Sequence, residues 1–358
     1  MRPINVISLF DGKACARVAL ERAGIPVANY YASEIDKYAM IIAKKNYPNI
    51  QHVGDVTKLQ HVDWTGIDLL CGGSPCQGFS FAGKQLNFND PRSALFFEFV
   101  RIWNEIKAIN PNAKFFLENV VMKQEYQDII SGLLGVKPVM VNSALVSAQN
   151  RKRLYWTNIE GFVMPKDMGI LLKDILEKNI NKYIHSEAAV RYMEREVSGG
   201  RNHYDFKHHS DTNEPKSSCV TANIFKGVPY NVIIDRISDF TKRDFTFSIS
   251  KSSNIRPHRF DEKKSGISEV GTILNVNNKS VTITTSHQPK VYTENPFCIR
   301  KLTPIECERL QTLPDNYTQG VSDSQRYKMI GNGWTIDVIV EFFKNLKPDT
   351  DFSENLDF

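Results

Sequence analysis

Over its first 160 residues the chain alternates two hydrophobic rhythms. Short apolar runs, VISLF (6–10), YYASEI (30–35), IDLLCGG (67–73), AKFFLENV (113–120), PVMVNSALV (138–146) and RLYWTNI (153–159), predict buried strands. Between them, apolar positions recur at helical spacing over 15–23, 36–46, 93–109 and 125–134. Runs that are apolar throughout, rather than every second residue, belong to strands covered on both faces. The pattern predicts an α/β domain, a doubly wound and mostly parallel sheet.

After Pro165 the texture changes to short segments rich in Gly, Asn, Ser and Thr, such as SGGRNHYDFKHHSDTNEPKSS (198–218), with no long helical period between about 200 and 295. This predicts an inserted, smaller β-rich domain over 165–299, with 1–164 and 300–358 forming the first domain. Helix signals return after Arg300. Thr303-Pro304 is placed as cap and first-turn residue before IECERLQTL, and a strongly apolar helix over 333–346 is expected to pack back on the first domain.

Composition narrows the class. With 358 residues and 41% hydrophobic content the chain can bury a full core. Its six cysteines have no C-x-x-C spacing, so neither a zinc site nor a disulfide framework is expected, and no metal. No signal-peptide pattern and no membrane-length apolar run is visible, which predicts a cytoplasmic protein with no membrane partner. The net charge of +5 is concentrated: residues 165–299 hold 20 Lys and Arg against 16 Asp and Glu. Within them KRDFTFSISKSSNIRPHR (242–259) carries Lys242, Arg243, Lys251, Arg256 and Arg259 against Asp244 alone. Such a run suits either a polyanion surface or an ordinary solvated loop.

Three stretches carry candidate chemistry. IDLLCGG leads into SPCQGFS (74–80), putting Pro75-Cys76 at the carboxyl edge of a strand, where α/β sheets place their sites; Cys76 is either a nucleophile or an inert packing thiol. FFLENV (115–120) ends an apolar run on Glu118 and Asn119, a site carboxylate or a helix-capping pair. QNRKR (149–153) sets Gln149, Arg151 and Arg153 on one face of an extended chain.

SPCQGFS, ENV, QNRKR, RKLTPIECERLQTLPD (300–315) and GNGW (331–334), in this order, resemble the ordered motifs of the DNA cytosine-5 methyltransferases. The likeness covers residues 4–160 and 299–345 and leaves 165–299 as the family's variable target recognition domain. It implies a Rossmann-like methyltransferase fold and S-adenosylmethionine as cofactor. It also implies double-stranded DNA as substrate, with the cytosine turned out of the helix. Cys76 matches the nucleophile that adds to cytosine C6, Glu118 the carboxyl group at N3, and Arg151 and Arg153 the positive charge around them. Phe10, Gly12, Glu34, Ile35, Asp55, Val56, Pro75 and Asn332 match cofactor-binding positions. Ser80, Lys84 and Arg92 fall in the loop that closes on DNA, and Gln149, Lys242, Arg243, Arg256 and Arg259 complete the expected DNA contacts.

One stretch departs from the family pattern. In SLFDGKACARVAL (8–20) the loop after Gly12 carries Lys13 and Arg17 where the family is commonly neutral. Either Lys13 points to solvent or pairs with Asp11, or the two cations meet the carboxylate of carboxy-S-adenosylmethionine and the enzyme transfers a carboxymethyl group. The tRNA branch of the fold would carry a Cys-Phe-Thr tripeptide in the recognition region, which this chain lacks, and an inactive DNA-binding homologue is hard to reconcile with Cys76, Glu118 and Arg151 all present. A nucleotide-dependent oxidoreductase fits the opening strand-turn-helix but not SPCQGFS with ENV. The expected setting is a monomeric bacterial or phage modification enzyme, with or without a cognate restriction nuclease and without a regulatory extension.

Overall fold

The computed structural model describes residues 2–74, 94–177, 208–210, 232–236 and 297–346, the backbone alone for 208–210, 232–236 and 297–301. Seven strands form the main sheet: β1 (Ile4–Leu9), β2 (Val27–Ser33), β3 (Gln51–His52), β4 (Leu69–Gly72), β5 (Lys114–Val120), β6 (Val139–Asn142) and β7 (Lys152–Thr157). Their order is β3-β2-β1-β4-β5-β7-β6. β7 runs antiparallel to β5 and β6, and the other pairings are parallel. The strand order reverses between β1 and β4, the point where open α/β sheets leave a crevice at the carboxyl ends of their strands.

Alternation of side chains across the sheet divides the apolar runs between two cores. Val6, Leu69, Cys71 and Phe116 pack with α1 (Cys15–Arg22), while Ile7, Leu9, Leu70, Phe115 and Leu117 face α3 (Ala94–Ile109). On the second side α4 (Gln124–Leu134) adds Tyr126, Ile130 and Leu134. α2 (Lys37–Asn46) starts at Asp36, whose carboxylate accepts from the N–H groups of Tyr38 and Ala39, and α4 ends on Gly135 at φ 74°. These elements match the rhythm of the sequence closely. β3, of two residues, and α5 (Leu172–Ile175), of four, were too short to show a period.

After β10 (Phe297–Lys301), α6 (Pro304–Leu310) begins in the expected way: Thr303 Oγ1 accepts from Glu306 N at 3.1 Å and the Glu306 carboxylate accepts from Thr303 N at 2.8 Å. The terminal helix is shorter than 333–346 but packs where expected. As α8 (Ile336–Phe343) it lies on α1, joined by an Arg22–Asp337 ion pair at 2.6 Å, and its Phe342 and Phe343 rings flank Phe116. Between them lies α7 (Asp323–Asn332), which the apolar pattern did not reveal because its inner face carries Arg326, paired with the fully buried Glu308 at 3.1 Å. A second sheet joins β8 (His208–Ser210) parallel to β9 (Val232–Arg236), and β9 antiparallel to β10 (Phe297–Lys301).

Candidate active site

Glu118 sits near the carboxyl end of β5, and its Oε1 lies 2.9 Å from Arg153 Nε on the neighbouring strand β7. Both side chains are largely withdrawn from water, 11% and 16% exposed, so the pair is much less screened than one on the surface. Tyr155, two residues along β7, is buried beneath them, and burial followed by the Glu118 charge pushes its hydroxyl well above the ordinary range.

The strand end that leads to Cys76 touches this pair. A Cβ on Gly73 would stand 2.9 Å from Trp334 Nε1 and 3.3 Å from Glu118 Oε2, so glycine is what lets that chain pass the carboxylate. Asn119 Nδ2 donates to Ser74 Oγ at 3.3 Å. Gly73, Ser74 and Trp334 therefore belong to the site, although only their neighbours stood out in the sequence. Pro75, Cys76, Ser80, Lys84 and Arg92 lie outside the described residues, as do Lys242, Arg243, Arg256 and Arg259.

Arg151 and Gln149 do not share the face expected of them. The Arg151 guanidinium is buried and donates through Nη2 to the carbonyls of Gly333 (2.8 Å) and Gly331 (3.3 Å). Gln149 is fully buried; its amide donates to Leu310 O at 2.5 Å and Gln311 Oε1 at 3.0 Å. The expectation of a Gln149–DNA contact is corrected accordingly: residues 143–151 turn before β7 begins at Lys152, and the turn takes the amide inward.

The crevice beside β1 has the residue types of a cofactor site. Phe10, Gly12 and Ala14 all adopt left-handed backbone angles (φ 56°, 60° and 68°), folding the loop between β1 and α1 tightly. Nothing lies within 4 Å of where a Gly12 Cβ would stand. Glu34, just past β2, accepts from Gly12 N through Oε2 and from Ile35 N and Asp36 N through Oε1, at 2.7–2.8 Å. Ile35 beside it is 76% exposed, an apolar surface next to Glu34. Asp55 caps a three-ten turn that begins at the buried Val56, and hydrogen bonds from the Thr57 N–H and hydroxyl hold its carboxyl below the ordinary range. A carboxylate for a ribose diol, an apolar platform and a second carboxylate suit S-adenosylmethionine. Asn332, at the end of α7, is exposed.

Lys13 answers neither expectation. It is 1% exposed, and its Nζ donates to Met329 O at 3.0 Å and contacts Cys15 Sγ at 3.3 Å. It therefore reaches neither solvent nor a pairing contact with Asp11, because the left-handed turn aims it beneath α7. Arg17 lies over the Tyr47 ring, 4.8 Å from its centroid. Both cations are engaged by the protein, and this arrangement lends no support to a carboxylate site for carboxy-S-adenosylmethionine. Asp11 is buried and accepts from Tyr30 Oη at 2.5 Å; burial raises its carboxyl to about 7.

No group of three or more metal-ligating side chains occurs among the described residues, and no described helix is long and apolar enough to cross a membrane. The family model for C-5 cytosine-specific DNA methylases matches residues 4–348. The chain is 28% identical to the type II methyltransferase M.HgiCI of Herpetosiphon aurantiacus, over 96% of this chain and 98% of that one. It is 30% identical to the type II methyltransferase M1.ScrFI of Lactococcus lactis subsp. cremoris, over 94% of this chain and 76% of that one. In fold it resembles a solved methyltransferase of Entamoeba histolytica (TM-score 0.66, 18% identity), covering 96% of this chain and 98% of that one. With the Glu118–Arg153 pair at the strand ends and a methylase match from the first strand to the last helix, the chain belongs to the C-5 cytosine-specific DNA methylases.

Proposed function

We propose that this enzyme methylates C5 of a cytosine turned out of double-stranded DNA, through a transient bond to Cys76. The observation that carries the reading is the Glu118–Arg153 pair, held against the strand end three residues before Cys76. Cytosine C5 is a poor nucleophile. Addition of the Cys76 thiolate to C6 makes a C–S bond and turns C5 into an enamine-like carbon. The ring accepts that attack when N3 is hydrogen-bonded or protonated, the role of the Glu118 carboxyl, and Arg153 holds that carboxyl at the correct point.

Glu34, Asp55 and the Phe10–Gly12 loop, with Ile35 and Val56 beside them, would hold S-adenosylmethionine, which would supply the electrophilic methyl group. After transfer, loss of the C5 proton lets the C6–S bond break and returns Cys76 to its thiolate. Residues 165–299 form the target recognition part, and the basic run 242–259 meets DNA phosphates there. Ser80, Lys84 and Arg92, in the sequence that follows Cys76, are DNA contacts in this reading.

A duplex carrying 5-fluorocytosine tests the covalent step, because fluorine stands where the departing proton should be. The wild-type enzyme should become bonded to this DNA when S-adenosylmethionine is present, and Cys76→Ala should not. Absence of a bonded wild-type species, with normal methylation of ordinary DNA, would refute the Cys76 mechanism.

A further inference from the structure

A helix leaves its last four carbonyls without partners and gathers partial negative charge at that end. At the end of α7 these carbonyls are met by side chains from three separate elements. Lys13 Nζ donates to Met329 O at 3.0 Å, Gln311 Nε2 to Ile330 O at 2.9 Å, and Arg151 Nη2 to the carbonyls of Gly331 and Gly333. Gln311 approaches from the end of α6, just past Leu310, and Arg151 from the turn before β7. Lys13 comes from the other side of the crevice, out of the loop whose Gly12 N–H is held by Glu34. The same loop is fixed from behind, where Tyr317 Oη donates to Lys13 O at 2.7 Å.

Gly333 records how tightly the lysine fits. Its backbone is extended, at φ −84° and ψ 179°, a conformation open to any residue. A Cβ there would nevertheless lie 1.8 Å from Lys13 Nζ. The same Cβ would stand 3.1 Å from Cys15 Sγ and 3.2 Å from Met329 O, so a side chain at 333 displaces the ammonium from its place beside Met329 O.

We propose that Lys13 is a positioning residue for cofactor binding: its ammonium ties the last turn of α7, which presents Asn332, to the Phe10–Ala14 loop, so that both sides of the cofactor crevice form one rigid unit. This rests on the assignment of that crevice to S-adenosylmethionine. The consequence falls on affinity more than on chemistry, because the groups that Lys13 Nζ meets, Met329 O and Cys15 Sγ, lie outside the Glu118–Arg153 pair.

The test titrates the full-length enzyme calorimetrically with S-adenosylhomocysteine, which fills the crevice without turnover, alongside thermal melting. Lys13→Met should melt cooperatively, bind at least about tenfold more weakly and raise KM for S-adenosylmethionine by a similar factor with kcat little changed. Gly333→Ala, which displaces the ammonium while keeping the lysine, should weaken binding in the same direction and serves if Lys13→Met does not fold. In addition, Gly333→Ala should cost less stability in a Lys13→Ala background than in the wild type. A folded Lys13→Met or Gly333→Ala protein that binds within twofold of wild type would overturn the proposal, leaving Lys13 a role in stability alone. A cooperatively melting wild type that binds no S-adenosylhomocysteine would instead remove the cofactor assignment itself.

Discussion

Arg153 Nε stands 2.9 Å from Glu118 Oε1, across the antiparallel pairing of β7 with β5. The arginine is a strand neighbour of the carboxylate and not a distant partner, so the two act as one unit. Glu118→Gln and Arg153→Ala should each slow single-turnover methylation by about 10²-fold, and the double variant should be little slower than the worse single one. A change confined to KM for DNA would count against the assigned roles.

Gln149 gives a prediction of a different kind. Its amide is bonded inside the protein, so Gln149→Ala should lower unfolding stability by about 1–3 kcal/mol through the groups it leaves unpaired. The salt dependence of DNA binding should stay as in the wild type. A flatter slope would return this residue to the DNA surface.

Asp11 predicts a pH effect with a definite sign. Burial raises its carboxyl from 3.8 to about 7, so between these values the folded state holds a proton that the unfolded state has released. Its contribution to stability is full below about pH 4 and is lost as pH rises through 7. Asp11→Asn cannot ionise, so the stability of this variant relative to wild type should rise by a few kcal/mol (order of magnitude) between pH 4 and 8 in urea unfolding series. A difference that does not change with pH would mean that Asp11 is ionised throughout.

The basic run 242–259 makes a testable polyanion surface. Replacing Lys242, Arg243, Arg256 and Arg259 by Gln should weaken DNA binding, and the slope of log K against log salt should fall by roughly one for each phosphate contact removed. An unchanged slope would make the run a solvated loop.

Much of this architecture was legible in the sequence where burial acts on a whole run of residues. Six of the strands and the first four helices show as apolar periods because the central strands are covered on both faces by the two cores and each helix packs on one of them. Glu118 was legible for the opposite reason, a carboxylate at the end of an apolar strand. What stayed hidden depends on partners far apart in the chain. α7 was masked by Arg326, which is tolerated inside because Glu308, Thr318 and Asp323 meet it. Lys13 read as a surface or ligand-facing cation because its partner, Met329 O, is 316 residues away. Gly73 gave no signal, since its need for glycine comes from Trp334 and Glu118.

The most direct test of the account is to weigh what the enzyme makes. Wild type and Cys76→Ala are incubated with double-stranded DNA and S-adenosylmethionine carrying an isotopically labelled methyl group, and the DNA is digested to nucleosides for mass spectrometry. The account predicts the label in 5-methyl-2′-deoxycytidine alone with the wild type, and none with Cys76→Ala. Label on N4 of cytosine or N6 of adenine, or turnover that survives the loss of Cys76, would contradict it.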